Sequence, residues 1–288
     1  MSAVTPGVSV VIPALNAEGT IAEQLAAVLA QECPLPFEVV VADNRSTDST
    51  RDIVRTSAEH DSRLRIIDAS ESQGDAVARN AGVDASRSPF VAFCDADDVV
   101  QPGWLAAIHD ALTSGAHAVN VTREYWSLNP GRQAAGGLEM VNTAWVAGGA
   151  FAVRRGLFLQ LGGFDPAMPT ASDTEFGFRL RDRMGRHPMQ LTSAVVSVRE
   201  PQDTGAIFVR ARELSRARRE LRKRHPRHLP SSTTDVVRFR MALIRDLAIH
   251  SPDLATARRA GWMERLGALT GDLEGSVAGT LSRVTGRL

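Results

Sequence analysis

Between Phe90 and Asp98 the chain passes directly from apolar strand to carboxylate: Phe90-Val91-Ala92-Phe93-Cys94, then Asp95-Ala96-Asp97-Asp98. The apolar part suits a strand buried within a sheet. Acidic residues after such a strand put negative charge at the carboxyl edge of the sheet, where open α/β folds bind their ligands. Carboxylates this close repel one another unless a cation or a proton offsets them. Asp-x-Asp presents the oxygen ligands that Mg2+ and Mn2+ accept, through one or two carboxylates and the phosphates of a substrate. A solvated acidic loop is the competing reading, and this segment alone leaves both open.

At 288 residues the chain has room for one large domain or two small ones around a substantial core. An apolar content of 43% and a charged content of 23% are ordinary for a soluble globular protein. Formal net charge is zero, so no overall field would draw in nucleic acid. The segment Met1-Ser2-Ala3-Val4-Thr5-Pro6-Gly7 lacks the basic region of a signal peptide, and no apolar run is long enough to span a bilayer. Cys33 and Cys94 make neither a disulfide framework nor a zinc set; Cys94 reads as a small hydrophobe. The expected compartment is a reducing cytoplasm.

The first part of the chain alternates strand and helix. Val8-Ser9-Val10-Val11-Ile12 is a β-branched strand that Pro13 is expected to stop. Over 20–30, Ile21, Leu25, Val28 and Leu29 recur at helical spacing, and Pro34 and Pro36 break the pattern. A second strand is predicted over 37–42, and a helix over 49–59 with Thr47 or Asp48 near its N-cap. A short strand over 64–67 and an amphipathic helix over 75–85 precede the strand at 90–94. This alternation predicts a parallel sheet with helices on both faces. Many nucleotide-binding and signalling proteins share that plan, so architecture alone does not give function.

The strand ends are more informative. Pro13-Ala14-Leu15-Asn16-Ala17-Glu18 follows the first strand, and Asp43-Asn44-Arg45-Ser46-Thr47-Asp48-Ser49-Thr50 the second. In a parallel sheet both lie on the same edge as Asp95. Such an edge can hold a nucleoside by hydrogen bonds to base and ribose; an Asx-turn with a helix cap is the plainer reading of 43–50. Neither Gly-x-Gly-x-x-Gly nor a P-loop sequence is present, which argues against a dinucleotide fold and a P-loop enzyme.

Taken in order, Val8-to-Glu18, Glu38-to-Thr50, Gly74-to-Gly82, Phe90-to-Asp98, Gly148-to-Arg155 and Leu161-to-Arg183 resemble the family-2 glycosyltransferases. The resemblance covers roughly the first two thirds of the chain and rests on the ordered set rather than on any one motif. It implies an α/β GT-A fold: a Rossmann-like, mostly parallel sheet flanked by helices, with a helical C-terminal extension. It implies residues 1–117 as a nucleotide-sugar-binding subdomain and 118–208 as an acceptor-binding and catalytic subdomain of the same domain. Residues 209–288 are then the helical extension.

The implied chemistry is metal-dependent transfer of a sugar from a nucleotide-diphosphate donor to an acceptor hydroxyl, with inversion at the anomeric carbon. Pro13, Leu15, Asn16 and Glu18 match the loop bordering base and ribose; Asp43 matches the acid on the base, with Ser46 and Asp48 completing that turn. Gly74 and Ala78-Arg79-Asn80-Ala81-Gly82 match the segment closing over the donor. Arg79 either offsets phosphate or carboxylate charge or forms a helix-surface salt bridge. Asp95 and Ala96 match the donor ribose or metal position, Asp97 the principal Mn2+ or Mg2+ ligand, with Asp98 ranked below them. Where the family has Glu-Asp-x-Glu, this chain has Ser172-Asp173-Thr174-Glu175, which keeps Asp173 as the matching general base. Ser172 doubles as a candidate N-cap for a helix beginning at Asp173.

The resemblance places Trp145, Gly148, Gly149, Thr174 and Glu175 on the acceptor side. Tyr125, Trp126 and Trp145 are either sugar platforms or core. Many family members carry a histidine near the position of 194–201; here there is none, and His187 lies too early to replace it. The acceptor is a sugar, a lipid-linked sugar or a small molecule. The strongly basic 209–228 reads as a solvated helix with acidic partners or as peripheral contact with the inner face of a membrane, and helical patterns over 234–249, 254–269 and 273–284 fit packing or a homo-oligomer contact. A non-catalytic sugar-nucleotide-binding or scaffold protein on the same fold is the alternative. A nucleotidyltransferase would need an early glycine-rich, basic loop that is missing.

Overall fold

A computed structural model describes residues 6–129, 139–140, 146–201, 203–229 and 263–271. Strand β1 (Val8–Ala14) is followed by α1 (Ile21–Leu29), β2 (Phe37–Asp43), α2 (Thr50–His60), β3 (Leu64–Asp68), α3 (Asp75–Ala85) and β4 (Phe90–Cys94). These are the elements the periodicity predicts, with some ends moved by a residue or two. Then come β5 (Val99–Val100), α4 (Trp104–Thr113), β6 (Ala118–Glu124), β7 (Glu139–Met140), β8 (Ala150–Arg154), α5 (Arg155–Gln160), α6 (Ser172–Met184) and β9 (Met189–Ser197).

One sheet collects the strands in the order β3-β2-β1-β4-β8-β6-β9-β5, with β7 beside β6. Its β3-β2-β1-β4 half is parallel. Strand β8 then enters antiparallel to both β4 and β6, so the second half is mixed. Pro13 does not stop β1, which continues to Ala14. The reason is local: β4 pairs with β1 only as far as Val11, so Pro13 has a strand neighbour on one side alone and its missing N–H costs little. The N-cap of α2 is Ser49, next to Asp48, whose carboxylate accepts the Thr50 N–H at 3.0 Å. Ser172 is the first residue of α6 rather than its cap; Ala171 holds that place, in a left-handed conformation with φ 63°.

Alternation along β4 divides the core. Ala92 and Cys94 face a cluster with β1, β2, α1 and α4, whereas Val91 and Phe93 face one with α3, α5 and α6. On the second face Phe93, Phe151, Phe158, Phe164 and Phe176 are fully buried, and ring centroids lie 5.0–6.1 Å apart among their contacts. Rings at such distances favour edge and offset contacts beyond their area burial. Phe164 comes from the Gly162-Gly163-Phe164 turn, so that motif plugs the loop before α6 into the core.

The described residues fall into two compact units, one ending at Arg199 and the other beginning at Glu200. In the second, α7 (Thr204–Arg224) starts where the Asp203 carboxylate accepts the Ala206 N–H at 2.7 Å, and it ends just before Pro226. Its basic residues find local acids in part: Arg210 pairs with Glu200, and Lys223 and Arg224 with Glu220. Residues 263–271 are helical. The helices expected over 234–249 and 273–284 lie outside the described residues, as does most of 254–269. Among the described residues no helix is long and apolar enough to cross a membrane.

Glu38 is the buried charge that ties the amino edge of the sheet. Its carboxylate accepts from the Ser9 hydroxyl (2.6 Å), the Arg87 N–H (2.7 Å) and guanidinium (2.9 Å), and from Arg65 (3.3 Å). Burial alone would raise its pKa; those partners outweigh burial and hold it below the ordinary glutamate value. Glu38→Gln should therefore lower stability by roughly 2–3 kcal/mol near neutral pH. Because the native pKa is depressed, the contribution is full above the unfolded value of about 4.3 and is lost as pH falls through the native one. Denaturation of the two proteins across that range should show the gap closing in acid; a gap that stays constant would contradict this role.

Candidate active site

Strands β1, β2 and β4 run parallel, so the segments that follow them share one edge of the sheet. The loops after β1 and β2 are stitched together. Asn16, at φ 51°, accepts the Thr47 N–H at 2.9 Å and donates its own N–H to Ser46 Oγ at 3.0 Å. Glu18 donates its N–H to Asp48 at 3.0 Å and accepts the Ser49 N–H at 3.0 Å, while Ala17 N–H reaches Thr50 Oγ1 at 2.7 Å. Asn16, Glu18, Ser46 and Asp48 are thus brought together and bonded to one another. Pro13 ends in the strand beneath them, and Leu15 stands exposed above.

Asp43 lies buried below that rim. Arg51 donates to its Oδ2 from Nε at 2.6 Å and from Nη2 at 2.5 Å, whereas Oδ1 is buried with no hydrogen-bond partner. A buried acceptor without a donor is rare in folded proteins. Its neighbour Asn44 was not singled out from the sequence. The Asn44 amide donates to the Ala69 and Ser72 carbonyls (2.6 and 2.8 Å) and accepts the Gly74 N–H at 2.8 Å, which fixes the loop into α3.

The acidic turn after β4 holds Asp95 half-buried, Ala96 buried, Asp97 exposed and Asp98 buried. Gln24 of α1 anchors it, donating to the Asp95 carbonyl at 2.9 Å and accepting the Val100 N–H at 3.1 Å. A glutamine on the apolar face of α1, three residues after Ile21, was the available signal for it. Burial, then the charges of Asp95 and Asp97, push the Asp98 carboxyl up to about 8, although the Arg199 N–H donates to it at 2.9 Å. Arg199 stands where the resemblance led us to look for a histidine. Its Nε donates to the Asp97 carbonyl at 2.9 Å and its Nη2 to Glu23 at 2.8 Å.

Arg79 links this turn to the rest. Its guanidinium is buried and donates to Asp75 at 2.5 Å and to Asp95 at 2.6 Å. Asp75 lies one turn earlier on the same helix, so the predicted helix salt bridge exists, but the second pair reaches across to β4. Opposite stands Gly148-Gly149, which leads into β8. Antiparallel pairing of Cys94 with Ala150 brings Gly149 alongside Asp95. A Cβ on Gly149 would lie 2.2 Å from Asp95 Oδ2, and one on Gly148 2.8 Å from Arg79 Cζ. The Gly148 N–H donates to Asp173 at 2.9 Å.

Asp173 sits in the first turn of α6 and also accepts the Thr174 N–H at 2.6 Å. Burial raises its pKa, while the Gly148 N–H, the Arg79 charge and the Thr174 N–H oppose that rise. Thr174 and Glu175 are buried behind it. Glu175 is clasped by Arg179, which also donates to the Leu161 and Gly163 carbonyls, so this acid secures the glycine turn. Asn80 grips the same turn, exchanging hydrogen bonds with the backbone of Phe164 at 2.8 and 2.9 Å. Trp145 lies outside the described residues. Trp126 is exposed where β6 ends, and Tyr125 stacks with Arg123. His187 is remote from the acids: it lines a cavity of about 320 Å3 with Ala118, at the amino end of β6.

The Glycosyl transferase family 2 model matches residues 9–179, more than half of the chain. The chain belongs to that family. Among curated relatives it is 38% identical over 109 residues to succinoglycan biosynthesis protein ExoU of Rhizobium meliloti, covering 38% of this chain and 31% of that protein. It is 39% identical over 93 residues to the putative teichuronic acid biosynthesis glycosyltransferase TuaG of Bacillus subtilis, covering 32% and 36%. The matched segment therefore spans about a third of the length of those relatives. The mannosyltransferase PcManGT of Pyrobaculum calidifontis, solved with GDP-Man and Mn2+, superposes with a TM-score of 0.60 at 20% identity, covering 97% of this chain and 76% of that one. S. aureus TarS 1-349 in complex with UDP-GlcNAc superposes with a TM-score of 0.55 at 18% identity, covering 94% and 92%. At these identities the likeness speaks to the fold, which is that of the GT-A glycosyltransferases.

In this family-2 chain the approach of Gly149 to Asp95 leaves no room for a side chain. Gly149→Ala should cost about 1–3 kcal/mol of stability, as overpacking does. Gly156→Ala, in α5 with nothing within 4 Å of its Cβ position, should cost none. Denaturant melts of both variants check this, and equal stabilities would refute the proposed close approach.

Proposed function

We propose that the protein transfers a sugar from a nucleoside-diphosphate donor to an acceptor hydroxyl, with inversion, a divalent metal on the donor diphosphate and Asp173 as general base. The observation that supports the reading is the Asp95–Arg79–Gly148–Asp173 arrangement, in which an acidic turn and a separate, half-buried carboxylate are joined through one guanidinium and one glycine. The unpartnered Asp43 Oδ1 supports a base N–H on the donor side. Relatives and neighbours supply context: one neighbour was solved with GDP-Man and Mn2+, another with UDP-GlcNAc.

The donor set fits a hard cation. Asp95 and Asp97 offer oxygen only, the donor type that a hard divalent cation accepts. Asp97, exposed on the turn, and Asp95 would hold Mn2+ or Mg2+, and such an ion, when bound, stabilises charge developing on a leaving diphosphate. The rest falls to the chain. The loops after β1 and β2 border the nucleoside, stiffened by their mutual hydrogen bonds. Asp173 accepts the proton of the acceptor hydroxyl as its oxygen bonds to the anomeric carbon and the bond from that carbon to the diphosphate oxygen breaks. The electron pair of that bond leaves with the nucleoside diphosphate, and no covalent enzyme intermediate is needed. The acceptor is a sugar, lipid-linked or small-molecule hydroxyl, and the basic α7 supports peripheral contact with an anionic membrane surface.

Asp173→Asn should lower kcat about 10²–10⁴-fold, the range a positioned base supplies, with donor affinity nearly unchanged. Transfer assays beside calorimetric donor titrations decide this. Donor binding without turnover in the unaltered protein, across a broad acceptor panel, would instead favour a binding module. Chelation of divalent ions should abolish transfer and Mn2+ or Mg2+ should restore it. A base must be deprotonated to act, and burial raises Asp173, so kcat should climb with pH along a limb centred above the ordinary aspartate value of about 3.9. A limb at or below that value would count against Asp173.

A further inference from the structure

We infer that Arg79 is a positioning residue rather than a donor contact: its single guanidinium holds Asp95 on one side and, across Gly148, the carboxylate of Asp173 on the other. The inference rests on the reading of Asp173 as the base and assigns a residue that governs it.

Both terminal nitrogens of Arg79 are already committed, Nη1 to Asp75 and Nη2 to Asp95, and the side chain is buried under the Phe164 ring at 5.9 Å. Gly148 lies against the flat of the guanidinium, close enough that a Cβ would stand 2.8 Å from Cζ. The same glycine presents its N–H to Asp173. One residue without a side chain therefore touches both the cation and the base. Among the described residues the leading charges bearing on Asp173 are Arg79 and Asp75, both from α3, and they act in opposite senses; the Gly148 and Thr174 N–H groups donate to it. A carboxylate that loses a nearby cation takes up a proton more readily, and a protonated Asp173 cannot accept another. Lysine would keep the charge while losing the two-pronged geometry.

The test is a titration of the Asp173 side-chain carboxyl by carbon NMR on the full chain, with the signal assigned by its loss in Asp173→Asn. Arg79→Gln should raise the midpoint by roughly one pH unit, a tenfold change in proton affinity, and Arg79→Lys should return most of it. Asp75 is half exposed, so Asp75→Asn provides a variant that folds; it should move the midpoint down. The acid limb of kcat should follow each shift in the same direction. A role confined to packing would move melting temperature and leave the midpoint in place. An unchanged midpoint in Asp75→Asn and in folded Arg79→Gln overturns the inference. If Arg79→Gln does not fold, Asp75→Asn and Arg79→Lys decide it. Shifted midpoints together with normal turnover in Asp173→Asn would sink the base assignment while leaving the charge coupling intact.

Discussion

A guanidinium sealed among carboxylates is costly unless every approach to it is made with precision, and Arg79 imposes that condition on the whole first unit. Helix α3 must deliver the arginine with Asp75 one turn before it. Strand β4 must end at Cys94, so that Asp95 arrives at its free side. Strand β8 must then lie antiparallel to β4 in the register that sets Gly149 against Asp95, because any other residue there would collide with that carboxylate. Helix α6 must begin at Ser172 for Asp173 to meet the Gly148 N–H. The antiparallel entry of β8 beside the parallel half of the sheet is therefore a requirement of this arrangement.

Rigidity on both flanks follows from ordinary packing. The loop before α6 is held by Phe164 in the five-ring cluster, by Asn80 and by the Arg179–Glu175 pair. On the other flank the loops after β1 and β2 satisfy each other's polar groups, with only Asp43 Oδ1 left over among the buried atoms there. Side chains locked in this way need little reorganisation when a ligand arrives, which is the physical meaning of a preorganised site.

Much of this was legible from residue pattern, and the exceptions share a cause. The β-branched run in β1, the apolar spacing in α1 and the strand-to-acid step at Asp95 are local signals, and the parallel half of the sheet follows from them. The direction of β8 is not local: Ala150-Phe151-Ala152-Val153 reads the same whichever way its partner runs. Glu18, Ser46 and Asp48 stand on the edge where the strand order puts them, but short polar side chains bond to a ligand or to a neighbouring loop alike, and only the loop spacing shows the bonds they make to each other. For Arg79 the residue pattern left charge compensation and a helix salt bridge both open; the pairing with Asp95, sixteen positions on, needs the β4 geometry. Arg199 is a case of the opposite kind: nothing in the residue pattern of 194–201 shows that it bonds to Asp97, Asp98 and Glu23 across the fold.

The decisive measurement is a crystal structure of the protein with an intact nucleotide-sugar and Mn2+. The account predicts the diphosphate beside Asp95 and Asp97, the base N–H on Asp43 Oδ1, and the Asp173 carboxylate facing the anomeric carbon from the side opposite the leaving oxygen. A donor bound with Asp173 on the same side as its diphosphate, or turned away from the sugar, would contradict it.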